Sequence, residues 1–194
     1  PALTAQGHWL QFSDGARYLG GRITNTLTDD DEIRARIQKA SQLFGSMRQS
    51  IFSSKDVWIQ VKNRLLQSMI LPTMLDGAEH WVVSAGMLRE LTTEFNRMIR
   101  ACLRFSTHTQ RRHKITTAAT LALTGMQPLP YYLDWKILGY AGHVQRMSAH
   151  RAPKIFMNTA FAGPKKSGGQ TKSHARQRRD CLLRKGIDES TWRA

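Results

Sequence analysis

Apolar residues recur at intervals of three and four along most of the chain from residue 28 to 148, and this period constrains the fold more than any other feature. A period near 3.6 is that of amphipathic helices that bury one face. The predicted helices run from about 28 to 47, 54 to 72, 85 to 105, 116 to 124 and 130 to 148. The chain is therefore predicted to be mainly α, as a helical bundle.

The segments on either side of this region differ in composition. Residues 1–27 lack the helical period and are predicted to form a short β/loop segment. Residues 28–160 form the predicted helical domain. Residues 161–194 are predicted to be an extended basic tail, in which a flexible linker at 163–169 precedes a helix from about 174 to 185 that ends at Gly186. Its Cys181-Leu182-Leu183 face is small, so we expect this helix not to dock firmly on the body.

The start of the first helix and the buried faces of the next two can also be predicted. Thr28 is the predicted N-cap, followed by Asp29, Asp30, Asp31 and Glu32, because acids are favourable at the positive end of the helix dipole. This interpretation is preferred to a metal site. The residues predicted to face the core are Val57, Trp58, Val61, Leu65 and Met69 in the second helix, and Leu88, Leu91, Phe95, Met98 and Cys102 in the third.

The composition indicates a polyanionic partner. Twenty-nine Lys and Arg residues oppose fourteen Asp and Glu residues, a formal net charge of +15. Such a charge repels itself in the free protein, and nucleic acid is the partner that explains it best. The two cysteines lie far apart without a CxxC pair, which favours reduced thiols. No apolar run approaches the ~18 residues of a membrane span, and because the sequence starts at Pro1 we expect a processed, excised or partly observed chain.

Three groups of basic residues are the candidate nucleic-acid contacts. The first group recurs at helical spacing on the third helix, the second lies in a predicted polar loop at 107–114, and the third lies in the tail. A solvated charged face is the alternative, since Glu90 and Glu94 precede the first group. Zinc is disfavoured, because His108, His113 and Cys102 lack the tight pairwise spacing of structural zinc ligands. The candidates are Arg97, Arg100, Arg104, Arg111, Arg112, Lys114, Lys165, Lys166, Lys172, Arg176, Arg178 and Arg179.

Four phrases occur in an order that is similar to a known family. They are Ala16 to Ile23 (ARYLGGRI), Leu71 to Trp81 (with GAEHW), Gly142 to Met147 (GHVQRM) and Gly168-Gly169-Gln170 followed by Trp192. Over residues 12–194 the chain resembles the downstream part of reverse transcriptases of non-LTR (LINE-like) retrotransposons. It departs from that family at Asp76, where a tyrosine is usual, and in the tail, where His174 and Ala175 stand in place of a tryptophan-containing segment.

The resemblance implies a fold and a set of roles. Tyr18, Leu19 and Gly20 would correspond to the primer grip, and the helices that follow to the thumb, whose basic face lies along the minor groove of an RNA-containing duplex. The paired catalytic aspartates of the family precede the Tyr-Leu-Gly phrase, and no such pair precedes it here. We therefore expect no catalytic residues, no metal and no cofactor in this chain, and we regard His143 as structural.

The expected function is that of a non-catalytic protein that binds RNA or an RNA/DNA duplex. Its most economical setting is an architectural subunit of a ribonucleoprotein with other proteins, such as an organellar ribosome in the mitochondrion. One alternative is the C-terminal part of an active retrotransposon RNA-directed DNA polymerase, which would place it in the nucleus. Another is a protein-interaction subunit of a large membrane or metabolic complex.

Overall fold

The computed structural model describes residues 4–5, 8–9, 14–18, 21–24, 28–158 and 173–188, and over these residues the fold is mainly helical, as predicted. Two small antiparallel strand pairs come first: β1 (Thr4–Ala5) with β2 (His8–Trp9), and β3 (Gly15–Tyr18) with β4 (Gly21–Thr24). In the second pair Tyr18 lies opposite Gly21. This hairpin contacts the first helix through β4.

The described helices are numbered here in chain order. They are α1 (Asp30–Met47), α2 (Ile59–Leu65), α3 (Leu71–Met74), α4 (Ala85–Cys102), α5 (Thr107–Arg112), α6 (Thr117–Thr124), α7 (Leu129–Gln145), α8 (Ala152–Asn158) and α9 (His174–Arg184). Two π-helical turns, Arg48–Phe52 and Leu66–Ile70, interrupt them, and the second joins α2 to α3. It precedes Pro72, which lacks the N–H needed for a regular helical ladder. None of the described helices combines the length and apolar character needed to cross a membrane.

The core is built around α4, which packs against α1, α6 and α7. Its predicted face is largely confirmed: Leu91, Phe95, Met98 and Cys102 are buried. Other large buried side chains come from α1 and from the π-helical turn after it, where the rings of Phe44 and Phe52 stack 4.4 Å apart. Burying several whole apolar side chains, at about 1.5–3 kcal/mol each, is the main force that holds the helices together.

The first helix differs from prediction in its cap. The N-cap position is held by Asp29 rather than Thr28, and Asp29 makes no side-chain bond to its own helix. Its Oδ2 atom instead accepts a hydrogen bond of 2.8 Å from the backbone N–H of Val82, just before α4. The acids Asp30, Asp31 and Glu32 occupy the first turn, where the helix dipole favours them.

The predicted buried face of the second helix is wrong by one position. Trp58 is 76% exposed and Val61 is 51% exposed, whereas Lys62, Leu66 and Ile70 are buried. Lys62 turns inward because its ammonium group meets the backbone carbonyls of Ser54 and of the end of α4. Simple apolar periodicity misses such a polar contact, and the π-helical turn changes the phase of the residues after it.

Local signals placed the ends of α6 and the C-terminal end of α9 close to their observed positions. Thr116 Oγ1 accepts from the N–H of Ala119 at the start of α6, and Gly125 ends that helix with φ of 66°. Gly186, also at φ of 66°, follows α9. These are the capping residues that helix termini favour. Helix α8 was not predicted.

Candidate nucleic-acid interface

The segment between Glu94 and Asp134 contains six Lys and Arg residues and neither Asp nor Glu. It covers the second half of α4, all of α5 and α6, and the start of α7. Its positive charge therefore has no local carboxylate to neutralise it, apart from Glu94 at its edge. The six cations are Arg97, Arg100, Arg104, Arg111, Arg112 and Lys114.

Arg97 belongs to the packing between α4 and α1. Its Nε and Nη2 atoms donate to Glu94 at 2.8 and 2.6 Å, and its guanidinium carbon lies 5.9 Å from the centre of the Phe44 ring. These hydrogen bonds lower the pKa of Glu94, which Ser41 also contacts, and raise the pKa of Arg97. Glu94 thus neutralises much of the charge of Arg97, whose side chain is 42% exposed, and Arg97 as a phosphate contact stays a prediction.

Arg100 and Arg104 do not share a helical face. Arg100 is partly buried, and this burial, together with the charge of Arg97, lowers its pKa. Arg104 lies beyond the end of α4 at Cys102, with a left-handed backbone at φ of 60°. The three arginines therefore do not form the predicted helical face, because α4 ends before Arg104, but Arg104 is exposed to solvent.

The turn at Arg104 is a Schellman motif, because the N–H of Arg104 donates to the carbonyl of Ala101 and that of Phe105 to the carbonyl of Arg100, at 3.0 and 2.9 Å. The same pair of bonds ends α5, where Lys114 takes the left-handed position at φ of 51°. Glycine normally occupies this position, as Gly125 does after α6. Arg104 and Lys114 are the described non-glycine residues with positive φ, and both are exposed cations.

Residues 107–112 form the short helix α5 rather than the predicted loop. Ser106 Oγ accepts from the N–H of Thr109 at 2.9 Å and starts the helix, a cap that the sequence analysis missed. Gln110 Nε2 donates to Thr120 Oγ1 at 2.7 Å and holds α5 against α6. Arg111 and Arg112 are exposed in its last turn, and no carboxylate among the described residues pairs with either.

The cations of the tail fall into two sets. Lys165, Lys166 and Lys172 lie outside the described residues. On α9, Arg176 and Arg179 are exposed, but Arg178 is only 4% exposed. The prediction of Arg178 as a nucleic-acid contact is therefore wrong, because its side chain is enclosed by the protein.

Helix α9 docks on the body, contrary to the expectation from its small apolar face. Cys181 and Leu182 are buried, and Asp134 on α7 receives two hydrogen bonds from Arg184, of 2.6 and 3.1 Å. Gln177 and His174 bind backbone groups of residues 79–83. These polar contacts therefore add to the small apolar face of α9 and hold the helix on the body. Burial and the Asp134 hydrogen bond raise the pKa of Cys181 to about 12.

The structure gives little support to the other sites considered from the sequence, which are the primer-grip residues and a metal site. Tyr18 ends β3, and Leu19 and Gly20 lie outside the described residues. Asp76, where the chain departs from the family pattern, pairs through its carboxylate with Arg36 of α1 at 2.5 Å. Within the described part of the chain, no group of three His, Cys, Asp or Glu side chains is placed to hold a metal ion.

The sequence analysis missed an exposed aromatic surface on α7. Tyr131 and Trp135 lie one helical turn apart and are 40% and 69% exposed, while Leu133 and Ile137 face the core. The sequence contained a signal for this surface, because Tyr131 and Trp135 lie four residues apart and off the helical face formed by Leu133 and Ile137. Lys185, at the end of α9, places its ammonium group 3.9 Å from the centre of the Tyr131 ring.

Comparisons of the chain with protein-family models, curated proteins and solved structures gave no match.

Proposed function

We propose that this protein binds RNA or an RNA/DNA duplex through charge and shape and does not itself catalyse a reaction. The observation that carries the proposal is the set of exposed cations Arg104, Arg111, Arg112 and Lys114 in a segment without Asp or Glu, which we call the α5 cation surface. Two of these four residues sit in left-handed conformations that cost free energy, which is typical of positions kept for function. Phosphate oxygens bind such cations whatever the base sequence.

The wider setting rests on the family resemblance of the four sequence phrases. In this proposal the helical body is a thumb-like domain derived from a non-LTR reverse transcriptase. It serves as an architectural subunit of a ribonucleoprotein, for which an organellar ribosome is the preferred example. Exposed apolar side chains on α8, Ile155 and Phe156, support contacts with other proteins of such an assembly. The C-terminal part of an active retrotransposon polymerase would use the same α5 cation surface.

The salt dependence of RNA binding tests the proposal. Replacing Arg111, Arg112 and Lys114 with glutamine should weaken binding and reduce the slope of log K against log salt by about 0.7–0.9 for each lost phosphate contact. Circular dichroism should be unchanged, since exposed charges contribute little to stability.

A control variant removes the same number of charges from other exposed positions: Lys39, Arg48 and Arg89, all to glutamine. This variant lowers the net charge equally but leaves the α5 cation surface intact. If both variants lose the same affinity and slope, binding is a diffuse effect of net charge and the proposed surface is wrong. If the wild-type protein binds no RNA at low salt, the proposed function is wrong as a whole.

A further inference from the structure

The exposed aromatic residues of α7 line a groove that is separate in sequence from the α5 cation surface. The groove measures about 370 Å³ and lies between α7, the end of the α2–α3 helical run and the turn after α6. This volume falls in the range of small-molecule sites. Its walls include Leu71, Pro72, Gln127, Tyr131, Trp135 and Lys136.

Two aromatic side chains of the groove, Tyr131 and Tyr132, are held in place by ring packing that begins at a core residue. The ring of Tyr132 packs edge-on against buried Phe95, with centres 6.1 Å apart, and Tyr131 packs edge-on against Tyr132 at 5.6 Å. The hydroxyl of Tyr132 also accepts from the N–H of Gln127 at 3.1 Å. Tyr131 and Tyr132 are thus already fixed by their neighbours, and this wall of the groove, beside Trp135, needs little ordering when a ligand enters.

The charge around the groove is positive. Lys136 lines it, and Lys185 reaches the Tyr131 ring from α9. None of the described lining residues is acidic, and the nearest carboxylate in sequence, Asp134, is buried and paired with Arg184 of α9. A second copy of this chain would bring a further +15 of charge to this surface and is a poor occupant.

We infer that this groove binds an unpaired nucleobase, which stacks on Trp135 while Lys136 and Lys185 contact the adjoining phosphates. Aromatic rings beside cations are the combination that proteins use for single-stranded nucleic acid. The side-chain amides of Gln67 and Gln127, also in the groove wall, supply donors and acceptors for a base edge. This inference rests on the proposed nucleic-acid function and adds a single-strand contact to the duplex contact of the α5 cation surface.

The test compares a short single-stranded uridylate RNA with a blunt RNA duplex. Replacing Trp135 with alanine should weaken single-strand binding about ten-fold and change duplex binding less than about two-fold, given the worth of one stacked base. Trp135→Phe should retain most of the single-strand affinity, which excludes a folding defect. Trp58→Ala, which removes an equally exposed tryptophan outside the groove, should have no effect.

A second measurement follows the indole N–H signals in a titration with the same single-stranded RNA. The Trp135 signal, identified by its loss in Trp135→Phe, should shift while that of Trp58 stays in place. Unchanged single-strand affinity in Trp135→Ala, with duplex binding intact, would overturn the groove but leave the proposed function standing. A wild-type protein that binds neither RNA overturns both, and a Trp135 signal that stays in place while the RNA binds overturns the stacking of a base on Trp135.

Discussion

The Nζ atom of Lys62 lies 3.3 Å from the carbonyl oxygen of Cys102, the last residue of α4. The same ammonium group donates to the carbonyl of Ser54 at 2.6 Å, and the residue is only 4% exposed. At Cys102 the cation meets a carbonyl of the last turn of the helix, where the carbonyls lack intrahelical partners, and it lies at the negative end of the helix dipole. Lys62 thus fixes the end of α4 from which Arg104 and α5 extend.

Replacing Lys62 with methionine should destabilise the protein by about 2 kcal/mol. The methionine keeps the aliphatic volume but leaves the carbonyls of Ser54 and Cys102 without their charged donor. Hydrogen bonds to charged groups contribute about 1.5–3 kcal/mol each. The cost of burying the ammonium group in the wild-type protein offsets part of this contribution. Urea denaturation measures the change. Arg64→Met on the same helix, where the side chain is exposed, is the control and should alter stability by less than about 0.5 kcal/mol. Equal stability of the two variants would contradict a role for the Lys62–Cys102 contact.

Arg104→Gly and Lys114→Gly should each stabilise the protein by about 1 kcal/mol while weakening RNA binding. Glycine adopts the left-handed conformation without the Cβ clash that the native residues suffer. The removed cations, in contrast, belong to the α5 cation surface. Thermal denaturation and RNA titration of the same samples give the two quantities.

The matched control reverses the change at an equivalent position. Gly125→Ala, at φ of 66° with no side chain within 4 Å of its Cβ position, should destabilise by about 1 kcal/mol and leave RNA affinity unchanged. If the two glycine variants gain stability without losing affinity, Arg104 and Lys114 serve only the helix ends.

The stability of the protein should fall as the pH rises above about 9. Burial raises the pKa of both Cys102 and Cys181 from 9.0 to about 12, so both thiols stay protonated in the fold while they ionise in the unfolded chain. The unfolded state then binds fewer protons than the folded state, and by linkage the free energy of unfolding decreases with pH between these two values. Urea midpoints across this range should show it.

Cysteine-to-alanine variants separate the two thiols. Cys102→Ala and Cys181→Ala should each remove about one proton from the slope of stability against pH, with some loss of stability at every pH from the cavity left behind. A slope that stays the same in both variants would show that other groups titrate. Thiol-reactive reagents should modify the folded wild-type protein slowly, since the thiolate is the reactive form.

The parts of the fold that the sequence predicted correctly are those set by residues close together in the chain. Thr116 and Gly125 bound α6, and the three-and-four spacing of Leu91, Phe95 and Met98 defined the buried face of α4, because these signals act within a few residues. The inward turn of Lys62 depends on a carbonyl forty positions away. Apolar periodicity contains no information about such a partner, so Trp58 and Val61 were assigned to the core.

The candidate site was predictable in composition but not in geometry. The basic residues of 104–114 stood out in the sequence, and four of them are exposed in the structure. The Glu94–Arg97 pair joins residues three positions apart on α4, so the sequence already indicated it, whereas the burial of Arg178 depends on the docking of α9. The docked helix is held in part by the Asp134–Arg184 ion pair, which links positions fifty residues apart.

The acids at residues 29–31 should stabilise the fold and support no polymerisation. Asp29 accepts a hydrogen bond from the backbone N–H of Val82, so Asp29→Ala should destabilise the protein by about 1 kcal/mol. Asp30→Asn should have a smaller effect, because no hydrogen bond or ion pair of the Asp30 carboxylate is found among the described residues.

Purified protein should not extend a primer on an RNA template with Mg²⁺ or Mn²⁺, since two-metal catalysis needs a clustered carboxylate site and the described residues form none. Primer extension that disappears when all three aspartates are replaced by asparagine would instead make this cluster a catalytic site. In that case the non-catalytic proposal would have to be abandoned.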